Sequence, residues 1–256
     1  MNQNLVTEIN DHLIIIRLNR PDKKNALTGE MYDGISDALT LLEEDPKLRV
    51  AVITGTQECF TAGNDLVDFL NNIGIDGKSP VGRFLRILPG ITKPLVAAVN
   101  GPAVGIGTTL LMHCDLVYAA PEAQFQMPFV SLGLCPEAGS SLLVPQQLGY
   151  RKAAELLMLG ETFNAEAAQS MGIINGVVEA DHYQQHAIAK AQQLATLPPG
   201  SVRTAKKLMR SANAEQLERI MRMEEEYFIE MLNGAEAKEA FKAFLEKRKP
   251  DFSKFF

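Results

Sequence analysis

The sequence predicts an α/β fold with a helical segment at its C-terminal end, and three observations carry that prediction. Short, continuously apolar runs, "RVAVITG" (49–55), "PLVAAVNG" (94–101) and "DLVYAA" (115–120), each lead into a glycine-containing loop or a helical stretch. Such runs read as strands buried on both faces, the mark of a largely parallel sheet. From Tyr150 onward helical periodicity dominates, apart from the brief segment "NGVV" (175–178). Composition allows a sizeable core, since 46% of the 256 residues are apolar and 22% are charged.

The elements follow in order. Residues 5–10 and 12–18 read as two strands joined tightly at Asn10-Asp11. Thr28 is placed to cap a helix running to about Glu44, with Met31, Ile35, Leu39 and Leu42 at helical spacing. After the three buried strands, helices are expected over 150–159, 165–171, 182–196, 201–212, 214–233 and 235–248. The clearest break is "LPPGS" (197–201). The chain therefore divides into an α/β core over 1–195 and a helical segment over 196–256, with no internal repeat.

Bulk properties narrow the partners. A net charge of −6 disfavours a general nucleic-acid binder, which needs a basic face, but allows an anionic small ligand held by a few local cations. Cys59, Cys114 and Cys135 are odd in number and lack a C-x-x-C spacing, against both a disulfide framework and a zinc knuckle. A reducing compartment, the cytoplasm, is the simple expectation. The start "MNQNLVTEIN" shows no secretory signal, no apolar run reaches the length of a membrane span, and "DFSKFF" is not a peroxisomal address.

Two turns carry candidate chemistry. "ECFTAGNDL" (58–66) follows a strand and leads to a helix start, which leaves backbone N–H groups unpaired. Such groups suit an anion or a developing oxyanion; the plainer reading is an ordinary strand-to-helix turn with Asp65 near the helix start. "NGPAVGIGTTLLMHCD" (100–115) repeats the arrangement with Gly105 and Gly107. A dinucleotide fingerprint needs glycine where Leu110 stands, and the Gly-Lys-Ser/Thr of a P-loop is missing. Two such turns are suited to aim their N–H groups at one oxygen.

Glu137 is the only charged residue of "GLCPEAGSSLL" (133–143). It reads either as a first-turn helix acid favoured by the helix dipole or as a general base whose pKa is raised by apolar surroundings. His182 and His186 share a helix face without a third metal ligand, so a solvated face is the reading there. His113 reads as a helix-end residue. Ser140 and Ser141 lack the Gly-x-Ser-x-Gly elbow of a serine hydrolase. "FKAFLEKRKPDF" (241–252) reads either as a terminal helix that buries its aromatics or as one that closes a ligand site and offers a cation to phosphate.

Together these pieces resemble the enoyl-CoA hydratase/isomerase (crotonase) superfamily. The resemblance runs from "RLNRPDKKNAL" (17–27) to "FLEKRKPDF" (244–252). It is most specific in "CFTAGNDL", "KPLVAAVNGPAVGIG" and "HCDLVYAAPEAQFQMPFVSLGLCPEAGSS". It implies a crotonase-like spiral of ββα turns, a homotrimer or dimer of trimers assembled through the C-terminal segment, acyl-CoA thioester substrates and no cofactor beyond the CoA of the substrate. It implies that the backbone N–H groups of Asn64 and Ile106 hold the thioester oxygen. The family's adenine and pantetheine contacts fall near Lys24, Ala26, Ala62, Asp65 and Leu66, and a phosphate contact on Lys247, reached from a neighbouring subunit.

The departures from the family pattern point to a subtype. The two glutamate positions of the hydratases fall on Thr109 and Phe129, neither able to move a proton. Glu137 falls where the peroxisomal-type Δ3,Δ2-enoyl-CoA isomerases carry their single catalytic glutamate, and "AGNDL", "VGI" and "CPEAG" are similar to the patterns of that subgroup. The resemblance thus implies an isomerase with Glu137 as proton shuttle and Phe129, Leu134 and Leu132 as an apolar lining. The loop 71–82 is expected to shape the acyl pocket. The alternatives are an enoyl-CoA hydratase or another acyl-CoA enzyme of this fold, and a non-catalytic acyl-CoA binder in which Glu137 is merely a helix-start acid.

Overall fold

The computed structural model describes residues 3–71 and 79–255. The middle of the expected pocket-shaping loop, 72–78, lies outside the described residues. Strands β1 (Leu5–Asn10) and β2 (Leu13–Leu18) form the expected hairpin, in register from Leu5 opposite Leu18 to Asn10 opposite Leu13. Asp11 takes the left-handed conformation, φ 53°, that a short polar side chain tolerates in the turn. Helix α1 (Gly29–Glu44) starts where the cap was expected: the Thr28 side chain accepts from the Met31 N–H. Its stripe of Met31, Ile35, Leu39 and Leu42 is buried.

The chain then winds in a spiral. Strand β3 (Val50–Thr54) is followed by α2 (Leu66–Asn71) and α3 (Pro80–Ile87). Next come β4 (Leu95–Val99), β5 (Pro102–Val104) and α4 (Ile106–Thr109). Strands β6 (Leu116–Ala119) and β7 (Gln124–Gln126) lead to α5 (Ser140–Leu148) and α6 (Tyr150–Ala154). The core closes with β8 (Phe163–Asn164), α7 (Ala165–Ser170), β9 (Gly176–Val177) and α8 (Tyr183–Thr196). One sheet has the order β1-β2-β3-β4-β6-β9, the other β5-β7-β8. In the larger sheet every pairing from β2 onward is parallel. The later windings add a strand to the large sheet and a short one to the small sheet.

Both faces are covered at the middle of the large sheet, which is why β3 and β4 read as unbroken apolar runs, whereas the edge strand β1 is mostly exposed. Ile14, Ile16, Ala51 and Ile53 face the main core with α1. Leu13, Ile15, Val50 and Val52 face the other way, onto α8, whose Ala187, Ala191 and Ala195 recur every four residues and let the helix lie close to the sheet. The strands of the small sheet leave no mark in the sequence, because two or three residues are too few to show alternation.

Helices α9 (Pro199–Ser211), α10 (Ala214–Leu232) and α11 (Ala235–Leu245) complete the chain. The break expected at 197–201 is shorter, since Pro199 starts α9, a position its fixed φ favours. The helix expected over 150–159 changes from α to π geometry at Glu155–Leu159. Helix α11 stops short of the expected 248, and Lys247 beyond it is left-handed, φ 53°. Among the described residues no helix is long and apolar enough to cross a membrane, and no cluster of metal-ligating side chains occurs.

Candidate active site

The two glycine turns lie side by side. The Thr61 N–H donates to Pro102 O at 2.9 Å and the Val104 N–H to Thr61 O at 3.0 Å, a short parallel bridge between Thr61 and Ala103. A second bridge joins Leu27 to Asn64: Leu27 N–H donates to Gly63 O at 2.8 Å and Asp65 N–H to Leu27 O at 2.9 Å. In this pattern the N–H of Asn64 itself points away from the ladder. Ile106 is the first residue of α4, so its N–H has no intrahelical partner. Among the described residues neither N–H meets an acceptor, whereas Gly63 N–H is taken by Thr61 Oγ1 and Gly105 N–H by Gln126 O.

Glycine is required before each donor. Gly105 has φ 58° and ψ −119°, outside the space of L-residues. Gly63 has φ 89°, and a Cβ there would stand 2.9 Å from Val104 O. The turns therefore touch through their backbones.

Glu137 is 5% exposed. It lies in the loop before α5, whose N-cap is Gly139, so it is not a first-turn helix acid. Its Oε1 is buried without a hydrogen-bond partner among the described residues. Burial, with the Glu224 carboxylate nearby, pushes its pKa up to about 8. The loop is fixed from both sides. Buried, neutral His113, its pKa lowered to about 4 chiefly by burial, donates from Nε2 to Ala138 O at 2.7 Å. Glu224 of α10 accepts from Gly139 N–H at 2.6 Å, Ser141 N–H at 2.9 Å and Ser141 Oγ–H at 2.5 Å. Between these clamps Ala138 and Gly139 are both left-handed, φ 56° and 73°.

Asn64, Ile106 and Glu137 open on one cavity of about 560 Å³. Ala26, Ala62, Asp65, Leu66, Phe129 and Leu134 of the expected set also line it, as does Leu132. Asp65 is engaged as well with Arg20 at 2.7 Å and with the Val67 and Asp68 N–H groups. Burial alone raises its pKa, but these contacts outweigh it and hold the carboxyl below the usual range. Thr109 is fully buried and does not line the cavity. Lys24 and Lys247 do not line this cavity. Lys24 sits in a left-handed turn and gives the site its backbone, accepting from Ala62 N–H at 2.9 Å, while Lys23 lines the cavity instead. Lys247 is exposed and off the cavity of its own chain, where Phe241, Phe244 and Leu245 of α11 line the wall.

Three groups of the site are not marked as functional by the sequence. Tyr32 of α1 donates its hydroxyl to Asn64 Oδ1. His113 and Glu224 hold the Glu137 loop. Only Glu224 left a trace in the sequence: it interrupts the stripe Leu217, Met221, Phe228 on α10 with an acid.

The raised pKa of Glu137 has a cost in stability. Its ordinary value is 4.5, so between pH 4.5 and about 8 the unfolded chain releases a proton that the native chain keeps. Stability falls as pH rises through that window, by at most about 5 kcal/mol. The Tm of Glu137→Gln is therefore expected to gain on that of the native protein as pH rises from 5 to 8. A difference in Tm that is constant across this range would refute the assignment.

A two-sheet spiral whose paired glycine turns share a cavity with the buried Glu137 defines a protein of the crotonase fold. The structure matches an enoyl-CoA hydratase/isomerase from Pseudoalteromonas atlantica T6c with a TM-score of 0.92 at 41% identity, covering 97% of this chain and 99% of that one. It matches OdaA from Pseudomonas aeruginosa with a TM-score of 0.93 at 46% identity, covering 95% and 99%. The sequence profile of the enoyl-CoA hydratase/isomerase family matches residues 8–254. Rat enoyl-CoA delta isomerase 2 is 38% identical over 79% of this chain, and the chain spans about half, 53%, of that relative's length. The 1,2-epoxyphenylacetyl-CoA isomerase of Escherichia coli K12 is 33% identical over 97% of this chain and 98% of its own. The mitochondrial enoyl-CoA hydratase of Pongo abelii is 32% identical over 95% and 84%. The chain belongs to the enoyl-CoA hydratase/isomerase family.

Proposed function

We propose that the chain is a Δ3,Δ2-enoyl-CoA isomerase in which Glu137 carries one proton between two carbons of the acyl group. The observation that carries this reading is a buried carboxyl of high proton affinity that opens on the same cavity as two backbone N–H groups, its Oε1 and both N–H groups unpaired among the described residues. The thioester oxygen accepts from Asn64 and Ile106. Glu137 takes a proton from C2 of a 3-enoyl thioester, and the electron pair spreads over C2, C4 and the thioester oxygen as a dienolate. The two N–H groups stabilise the charge on oxygen, and the protonated Glu137 returns its proton at C4, leaving the 2-enoyl thioester. Phe129, Leu132 and Leu134 keep water from the intermediate. The isomerisation is a net proton shift with no net oxidation or reduction of the substrate, so the scheme draws on no redox group.

Syn hydration, by contrast, needs a second proton-transferring group to hold water, and the hydratase positions hold Thr109 and Phe129. Glu137 also borders a second cavity of about 570 Å³, walled by Leu85, Met221 and Phe228, which leaves room for acyl carbons beyond C4. We read α9–α11 as the segment through which copies assemble into a trimer or dimer of trimers, with Leu208 and Met209 exposed on α9.

A substrate panel tests the reaction. Conversion of 3-enoyl-CoA to the conjugated 2-enoyl product is expected to exceed hydration of crotonyl-CoA by about 100-fold or more. Hydration at a matching rate would favour the second reading, a hydratase, for which the Pongo abelii relative speaks. Binding without proton exchange at C2 would make the chain a non-catalytic acyl-CoA binder.

A further inference from the structure

We propose that Glu224, on the helix behind the site, is a positioning residue that holds the Glu137 loop in place and, as a resident negative charge, keeps Glu137 a strong base. The inference rests on the isomerase reading. It starts from an asymmetry between two buried acids. Glu224 is 7% exposed and receives three hydrogen bonds, from Gly139 N–H, Ser141 N–H and Ser141 Oγ–H. Glu137 is 5% exposed, and its Oε1 receives none from the described residues. When the two share one negative charge, the three donors keep it on Glu224 and the proton stays on Glu137.

The same bonds do structural work. Helix α5 has no side-chain cap of its own, and Glu224 caps it from α10. Gly139 packs on that helix so closely that a Cβ would stand 2.4 Å from Leu217 Cδ1. Among the described residues, the remaining titratable groups around Glu137 are Tyr32 from α1, Cys135 on its own loop and His113 behind Ala138. Lys23 and Asp65 border the first cavity, and Arg86, Glu218, Arg222 and Glu225 border the second. Arg86 and Arg222 are engaged with Glu225 and Glu218, which leaves Glu224, among the described residues, as the buried charge beside the base. A carbon acid is a poor proton donor, so a base of high proton affinity suits its task.

The test is the pH dependence of kcat/KM on a 3-enoyl-CoA, together with an infrared titration of the Glu137 carboxyl, identified as the band missing in Glu137→Gln. In Glu224→Gln both midpoints are expected to move to lower pH by about one unit, and kcat on the alkaline plateau to fall three- to tenfold. Glu224→Asp keeps the charge and is expected to keep the midpoints while lowering kcat. Should Glu224→Gln fail to fold, Glu224→Met, uncharged and of similar length, takes its place. A folded, uncharged variant with unmoved midpoints overturns the proposal, because a merely structural role lowers kcat and Tm without touching the titration. The infrared midpoint is read without turnover. Normal activity of Glu137→Gln would therefore sink the isomerase reading separately, and an unmoved carboxyl titration sinks this inference alone.

Discussion

Glu137→Gln is expected to lower turnover of a 3-enoyl-CoA by about a thousandfold or more while the fold and acyl-CoA binding survive. The amide matches the carboxyl in shape, so the buried loop between His113 and Glu224 keeps its packing, and it cannot take a proton from carbon. The effect is large because the described site offers no substitute. Asp65 lines the cavity but is held ionised by Arg20 and two backbone N–H groups, well suited to capping α2 and poorly to accepting a proton. Tyr32 is buried with its pKa raised, by burial first and the nearby Glu137 second, and its hydroxyl is committed to Asn64. Single-turnover rates and exchange of C2 protons with deuterium oxide measure the loss directly. A variant that exchanges C2 protons at the native rate would remove Glu137 from the reaction.

Gly63→Ala is expected to cost about a hundredfold in kcat without touching any side chain of the site. The new Cβ would meet Val104 O at 2.9 Å, and φ 89° is disfavoured for alanine, so residues 62–64 must shift. The Asn64 N–H moves with them, and one of the two donors to the dienolate oxygen is misaligned. Because that oxygen gains charge as the proton leaves, the loss falls on kcat more than on binding of an acyl-CoA product. Gly200→Ala is the matched control: it lies in α9, a Cβ there would meet nothing within 4 Å, its φ is not left-handed, and full activity is expected. Equal kcat in Gly63→Ala and the control would mean that the Asn64 N–H does not serve the transition state.

Much of the architecture was legible in the chain because local rules and global burial agree. The Thr28 cap, the stripe of α1 and the buried runs of β3, β4 and β6 each follow from periodicity and capping chemistry, which act within a few residues. Both glycine turns could be named as places where backbone N–H groups are left over. Glu137 stood out as an acid among small and apolar neighbours, although its sequence surroundings fitted a helix start equally well.

What the sequence determined by itself, then, was most of the strands and helices, the two glycine turns and the identity of one conspicuous acid. Tertiary structure alone decided that the turns abut through Thr61 and Ala103, that Lys23 rather than Lys24 borders the cavity, and that Glu137 precedes its helix instead of opening it. It alone brought Glu224 to Gly139, 85 positions away in the chain. The physical reason is range: hydrogen-bond caps and side-chain periodicity act over a turn or two, whereas the proton affinity of a buried carboxyl depends on how much water is excluded and which charges arrive from other elements.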